Sequence, residues 1–413
     1  MSTTIERMAK ETVRSMYDEA AHEPDDQLRM ALAKHAAASE KRERIAAMIA
    51  LARSEPGIAV RPEQLDANPW LLNTPSGTVN LRDGTCYPHR PEDLLTRITT
   101  AAYLPANEAE CPTWEAALEK IFAGNVELIG FVQRLLGYSL AGVTTEHVLP
   151  ILYGSGSNGK SVFIDAILHA LGADYACTLA PDMLLATRNE QHPTWRMDLF
   201  GRRFVAAVET DEGRRLAEGT VKSLTGGEPV KGHRMREDWT AFSPTHTLWL
   251  ATNHKPVVTG TDHAIWRRLR LIPFTQRFWS GDRGESGPPE LKADPSLADK
   301  LHREADGILR WLVDGCLAWQ RDGLGDPPEV RAATADYRAD MDVLGAFIGE
   351  RCDLRPDATA KASELYEAYK KWAVESGERA ISSRRFGRTM TERGFERYRN
   401  DGIRYLGIDV RNW

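Results

Sequence analysis

The sequence predicts a multidomain α/β protein. It has a mostly helical N-terminal domain, a central P-loop parallel-sheet core and a C-terminal winged-helix-like domain. Three observations predict it. Residues 154–161 read Gly-Ser-Gly-Ser-Asn-Gly-Lys-Ser, which fits G-x-x-x-x-G-K-[ST] without a gap, between an apolar run at 148–153 and a helix-like stretch at 162–171. Short apolar runs at 204–208, 245–251 and 269–274 then alternate with helical stretches, as in a mainly parallel sheet. Near the C-terminus, helical patterns give way to a hairpin around Asn400-Asp401-Gly402.

Residues 1–55 are polar and Ala-rich, with no glycine before Gly57, and read as helix up to a break at 55–58. Residues 57–110 hold Pro, Gly and Asn among short apolar pieces, and the stretch from Asn80 to Gly84 reads as a turn between strands. Helical spacing returns at 113–141, where Leu128, Ile129, Val132, Leu135 and Leu136 share a face. The expected division is 1–145 for the N-terminal domain, 146–280 for the ATPase core, 281–340 for a linker and helical extension, and 341–413 for the winged-helix-like domain. Residues 280–296 read as a loop and 297–321 as one helix. The helix at 363–375 carries Leu365, Tyr366, Tyr369 and Trp372 on one face, a stripe expected in the core rather than on a base-stacking surface.

The chain has 413 residues, enough for two or three domains, with 42% apolar and 27% charged residues. No run of 18 apolar residues suggests a membrane span. Cys86, Cys111, Cys177, Cys316 and Cys352 are scattered, with no C-x-x-C, as expected of reduced thiols in a cytoplasmic protein. Net charge is −6, yet residues 379–413 hold nine arginines against four carboxylates, a local balance of +5. A phosphate backbone responds to that local charge.

Successive N–H groups of Gly154, Ser155, Gly156, Ser157, Asn158, Gly159, Lys160 and Ser161 can cradle phosphate oxygens, helped by the positive end of the following helix. Lys160 is expected to reach the β- and γ-phosphates and Ser161 to hold Mg²⁺, making ATP and Mg²⁺ the expected ligands. Hydrolysis also needs a group that positions water. Glu209 ends the 204–208 run, at the strand edge where α/β sheets place ligands, and is expected to serve water and metal. Asp211 and Glu212 follow and fit an exposed turn equally well. Asn253 ends the next run and can hold the γ-phosphate or the attacking water. Trp266-Arg-Arg-Leu-Arg offers a charge for the transition state, or surface arginines. Lys231, His233, Arg234 and Arg236 lie among glycines near Trp239, a composition suited to nucleic acid or to a solvated loop.

These stretches, in this order, resemble the superfamily 3 helicases, specifically the helicase portion of phage, plasmid and poxvirus-type primase–helicases. The resemblance rests on 154–161, Val208-Glu-Thr-Asp-Glu-Gly-Arg-Arg-Leu, 222–234, Ala251-Thr-Asn-His-Lys-Pro, and 260–274 with Trp266-Arg-Arg-Leu-Arg-Leu-Ile-Pro-Phe. It implies an AAA+-like ATPase core working as a ring, usually a hexamer, that moves along DNA as a replicative helicase. Glu209 matches the Walker B acid, Asn253 the sensor amide, and Arg268, or Arg267, a finger reaching a neighbour's ATP. Lys231, His233, Arg234 and Arg236 fall in the family's channel hairpin. Single-stranded DNA is the expected partner, with double-stranded DNA and a separate primase or polymerase as further ones. The residues before the loop lack an acidic metal cluster, so no primase activity is expected of this chain. The alternatives are a DNA-binding ATP switch acting in replication initiation without unwinding, and a P-loop kinase.

Overall fold

The structure, a computed structural model, describes residues 2–55, 59–186, 193–209, 211–259, 263–281, 286–378 and 380–411. The chain forms two compact units, 1–67 and 68–413. That division splits the expected helical domain of 1–145. The expected break at 55–58 and the centre of the 280–296 loop fall largely outside the described residues, as does Arg379.

The first unit holds α1 (Ser2–His22), α2 (Asp26–Ser39) and α3 (Arg42–Ala52). The Asp25 side chain caps α2, accepting from the Gln27 and Leu28 amides at 2.8 and 3.0 Å. Small residues close the centre of this unit, with Ala9, Val13, Ala20 and Ala36 buried.

The second unit opens with the antiparallel strands β1 (Leu71–Thr74), β2 (Gly77–Asn80) and β3 (Thr85–Tyr87). Helices α4 (Pro112–Ile121) and α5 (Val126–Leu140) follow. The central elements are β4 (Leu149–Tyr153), α6 (Lys160–Tyr175), β5 (Ala176–Leu179), β6 (Phe204–Glu209), α7 (Glu218–Thr225), the pair β7 (Val230–Gly232) and β8 (Thr240–Phe242), β9 (Thr247–Thr252), α8 (His263–Trp266) and β10 (Leu269–Pro273). Five strands form one all-parallel sheet in the order β10-β4-β9-β6-β5. The edge strand β5 has no clear apolar alternation and was not expected from the sequence. The other four fall on the expected apolar runs.

Both faces of the sheet are covered, so its strands are apolar throughout. On β9, Trp249 and Ala251 enter the core beneath α5 and α6, while Leu248 and Leu250 enter the core on the other face. The stretch expected as one helix over 297–321 is broken at Glu304 into α9 (Leu297–Arg303) and α10 (Ala305–Asp322). Helix α10 lies directly on α5. A Cβ on Gly137 would stand 2.1 Å from the Cys316 nitrogen, and one on Gly315 would stand 2.3 Å from the Gln133 oxygen. The two backbones therefore touch, and the segment expected as an extension belongs to the core. Helix α11 (Pro328–Asp340) runs beside β10 and buries Tyr337.

The C-terminal part comprises α12 (Val343–Arg351), β11 (Cys352–Asp353), β12 (Thr359–Lys361), α13 (Ala362–Glu375), α14 (Ser383–Glu392), β13 (Arg397–Arg399), β14 (Ile403–Leu406) and β15 (Asp409–Val410). Strands β12, β14 and β13 form an antiparallel sheet in that order. Leu365, Tyr369 and Trp372 are buried here with Phe347, Phe386 and Tyr405, so the stripe on α13 is core. Arg385 of α14 donates to the Thr259 carbonyl, in the loop that follows β9.

Candidate functional site

Strand register brings the expected residues to one edge. Tyr153 of β4 pairs with Thr252 of β9, and Thr252 pairs with Glu209 of β6. The loop at 154–161, Asn253 and Glu209 thus leave three adjacent strands at one level. With strands about 4.8 Å apart, Glu209 stands about 10 Å across from β4, room for a phosphate and a water.

The loop turns on positive φ values at Gly156 (95°), Ser157 (49°) and Gly159 (90°). Gly154 is obligatory for space, because a Cβ there would lie 2.2 Å from Asn158 Nδ2 and 2.3 Å from the Phe274 oxygen. Gly159 ends the loop, and no side chain caps the helix that begins at Lys160. The first turn of α6 therefore offers its amides and its positive dipole end to an anion.

Lys160 is only 7% exposed. Its Nζ donates to the Gly154 carbonyl (2.6 Å), Asn158 Oδ1 (3.0 Å) and Asn253 Oδ1 (3.1 Å). Burial pushes this ammonium down to about 8. Glu209 is 4% exposed and accepts from the Asp211 amide at 2.7 Å. Ser155, Ser157 and Ser161 are exposed. The Ser161 hydroxyl and the Glu209 carboxylate are hard oxygen donors of the kind Mg²⁺ takes. Asp211 and Glu212 are exposed, as a turn requires.

Arg268 and Arg267 face different ways. Arg268 is 7% exposed, and donates from Nε to Thr225 Oγ1 (3.1 Å) and from Nη1 to the Ala264 carbonyl (2.6 Å). Arg267 is exposed. Of the two arginines expected as candidates for the finger, Arg267 is the one open to solvent. Residues 260–262, part of the same motif, lie outside the described residues, as does Thr210.

The basic segment is a hairpin. Lys231 pairs with Ala241 and Gly232 with Thr240 across β7 and β8, and Val230 and Phe242 anchor it in the core. Lys231, Arg234 and Arg236 are exposed, with Arg234 3.9 Å from Glu237. Arg236 takes a left-handed φ of 66°. His233 packs on Trp239 at 4.6 Å between ring centroids. The tip also presents Met235 and Trp239, which are 79% and 63% exposed.

Sequence reasoning missed one part of the site. A cavity of about 390 Å³ opens against Ser157 and Gly159, walled by α4, α6, α9 and residues 278–280 and 292–294. Its lining is largely apolar, with Trp114, Ile121, Phe163, Phe278 and Leu297, and Lys120, Lys292 and Asp294 at hand. Phe278 is fixed to the loop by its amide, which donates to the Ser157 carbonyl at 2.7 Å. These residues come from segments far apart in sequence, so no local spacing announces them.

Among the described residues, no helix is long and apolar enough to cross a membrane. Three family models match parts of the chain. Residues 2–123 match the family described as D5 N terminal like, residues 152–268 a family of unknown function, and residues 339–404 the Poxvirus D5 protein-like family. A "Putative helicase" of Acanthamoeba polyphaga mimivirus is 27% identical over 324 residues, covering 75% of this chain and 33% of the relative. A "Putative primase" of African swine fever virus is 26% identical over 327 residues, covering 75% and 34%. A "Putative helicase" of Frog virus 3 is 26% identical over 254 residues, covering 59% and 26%. This chain thus spans about a third or less of the length of these relatives. Among solved structures, the apo C-terminal region of NrS-1 aligns over 83% of each chain with a TM-score of 0.47 and 11% identity. With a D5-type match at each end and helicase-named relatives over much of its length, the chain is similar to the D5-like primase–helicases, and its motifs are consistent with superfamily 3.

Proposed function

We propose that this chain is an ATP-driven replicative DNA helicase motor, forming a ring that hydrolyses ATP between subunits and translocates on single-stranded DNA. The observation that carries the reading is the bond from Lys160 to Asn253, with Glu209 at the same sheet edge. It sets a lysine against a neutral amide, with a carboxylate on the adjacent strand, where a γ-phosphate would sit on the loop. Lys160 would exchange its present acceptors for phosphate oxygens. Glu209 would orient a water and take its proton as the P–O bond breaks, and Asn253 would hold that water or the γ-phosphate. Ser161 and Glu209 would hold Mg²⁺, which when bound would neutralise negative charge on the phosphates. The 390 Å³ cavity has the apolar walls and size to seat the nucleoside beside the loop.

Arg267, being exposed, is our assignment for the finger offered to a neighbouring subunit. Arg268 serves instead to brace α7 and α8. The hairpin residues Lys231, His233, Arg234 and Arg236 would meet the strand's phosphates, and Trp239 would stack on its bases.

The test is ATP turnover with and without single-stranded DNA, for the wild type, Lys160→Ala and Glu209→Gln. DNA-stimulated turnover is expected, falling about 100-fold or more in both variants, with Glu209→Gln still binding nucleotide. Turnover indifferent to DNA would move the assignment toward an ATP switch or a kinase.

A further inference from the structure

The cavity beside the phosphate loop is walled partly by α4, through Trp114, Ala117 and Ile121, and partly by α9, through Leu297 and Leu301. No local side chain caps α4. Cys111 stands at its N-cap position and makes no side-chain bond there. Pro112 follows and has no N–H to give. The next two amides, of Thr113 and Trp114, both donate to one distant carboxylate, that of Glu304, at 3.0 Å to each oxygen.

Glu304 stands where three helices meet. Its amide closes α9, donating to the Lys300 and Leu301 carbonyls at 3.2 and 3.1 Å. Its carbonyl opens α10, accepting from the Ile308 amide at 2.9 Å. The first turn of α10 lies hard against the chain before α4, since a Cβ on Gly307 would stand 2.3 Å from the Glu110 oxygen. A carboxylate that accepts two amides at the positive end of a helix is a charge-assisted cap. One turn back, α9 is tied to α6, where His302 Nε2 meets Asp165 Oδ2 at 2.7 Å. The residue that Glu304 holds is itself a wall. Trp114 is 1% exposed, stacks on Phe163 of α6 at 5.5 Å and meets Trp311 of α10 edge-on at 5.5 Å.

We infer that Glu304 is a positioning residue for nucleotide selection, fixing α4 against α9 and so the fit of a nucleoside between them. Glu304 does not line the cavity and acts through Thr113 and Trp114. The inference rests on the reading of that cavity as the nucleoside seat. The phosphate loop grips a phosphate chain whatever it carries, and the walls set by Glu304 add the part of binding that belongs to the nucleoside. Without the carboxylate two amides lose their acceptor, and the first turn of α4 relaxes together with Trp114.

The experiment is titration calorimetry of the full chain with magnesium ATP and with magnesium tripolyphosphate, which has the phosphate chain and no nucleoside. The wild type is compared with Glu304→Gln. That substitution keeps the side chain's size but turns one accepting oxygen into an N–H₂ group facing an amide donor. The wild type is expected to prefer ATP. Glu304→Gln is expected to lose about tenfold in ATP affinity and to hold tripolyphosphate within about twofold. A merely structural defect would weaken both ligands alike, and a partly unfolded fraction divides out of their ratio. If Glu304→Gln does not fold, Glu304→Asp, which withdraws the charge by one methylene, gives the same ratio. An unchanged ratio would overturn the role of Glu304 and leave the seat standing. A wild type that binds ATP no better than tripolyphosphate would overturn the seat, and this inference with it.

Discussion

At the scale of single residues, two buried bases make pH a probe. Lys160 titrates near 8 because burial disfavours its charge. Phosphate favours the charged form, so ATP affinity should hold below that value and fall about tenfold for each pH unit above it. Titration with a fluorescent nucleotide from pH 7 to 9.5 checks this. Lys160→Arg, whose guanidinium keeps its charge, should flatten the profile. A flat wild-type profile would remove Lys160 from nucleotide binding. His246 is fully buried, and desolvation lowers it to about 4. The unfolded chain, with a histidine near 6.5, then binds more protons between those values. The stability His246 contributes is full above pH 6.5 and is lost as pH falls towards 4. A loss of roughly 2–3 kcal/mol by pH 4.5 is expected, measured by denaturant melts, and His246→Phe should remove that component. Nothing in the sequence distinguishes His246 from an exposed histidine. The site residues were easier to read. A carboxylate or amide ending an apolar run sits at a strand's carboxyl edge, and Glu209 and Asn253 do so. The opposite facing of Arg267 and Arg268 was hidden, since both precede a strand whose first residue sequence alone does not set.

At the scale of elements, the α5–α10 crossing is the tightest contact. Gly137→Ala would drive a methyl into the Cys316 backbone, where neither helix can yield without parting. A loss of about 3 kcal/mol or more is expected. Gly130→Ala lies on the same helix, with Arg134 Nη1 at 3.5 Å as its nearest neighbour. It should be neutral or gain up to about 1 kcal/mol from helix propensity. Thermal melts of the two variants decide the matter, and equal effects would mean that the crossing is looser than the backbone geometry indicates. The stretch 297–321 read as one helix because both halves carry helical spacing. What breaks it is tertiary. The Glu304 carboxylate leaves the helix line to accept from the Thr113 and Trp114 amides, both at 3.0 Å, capping α4. A cap donated from 190 residues away leaves no local mark. The edge strand β5 escaped notice for a similar reason, since its pairing with β6 supplies what its composition lacks.

At the scale of the whole molecule, a ring motor requires that one subunit complete another's site. If Arg267 is that contribution, Arg267→Ala should bind ATP normally yet lose about 100-fold or more in turnover. Mixing it with Lys160→Ala should restore part of the activity, because an intact site then forms at some junctions. No recovery on mixing, alongside normal assembly, would place the finger elsewhere. The order of motifs along the chain was enough to anticipate the central sheet. The apolar cavity beside the loop was not, because its walls come from α4, α6, α9 and residues 278–280 and 292–294, which are far apart in sequence. One bond noted above bears on how the parts act together. Arg385 holds the Thr259 carbonyl, while the Thr259 amide donates to Glu218 at 2.9 Å and its hydroxyl accepts from Arg215 at 2.8 Å. Helix α14 is thereby a lever. A displacement of α14 would therefore be felt as tension in the loop that begins at Asn253, at the sheet edge that carries Glu209.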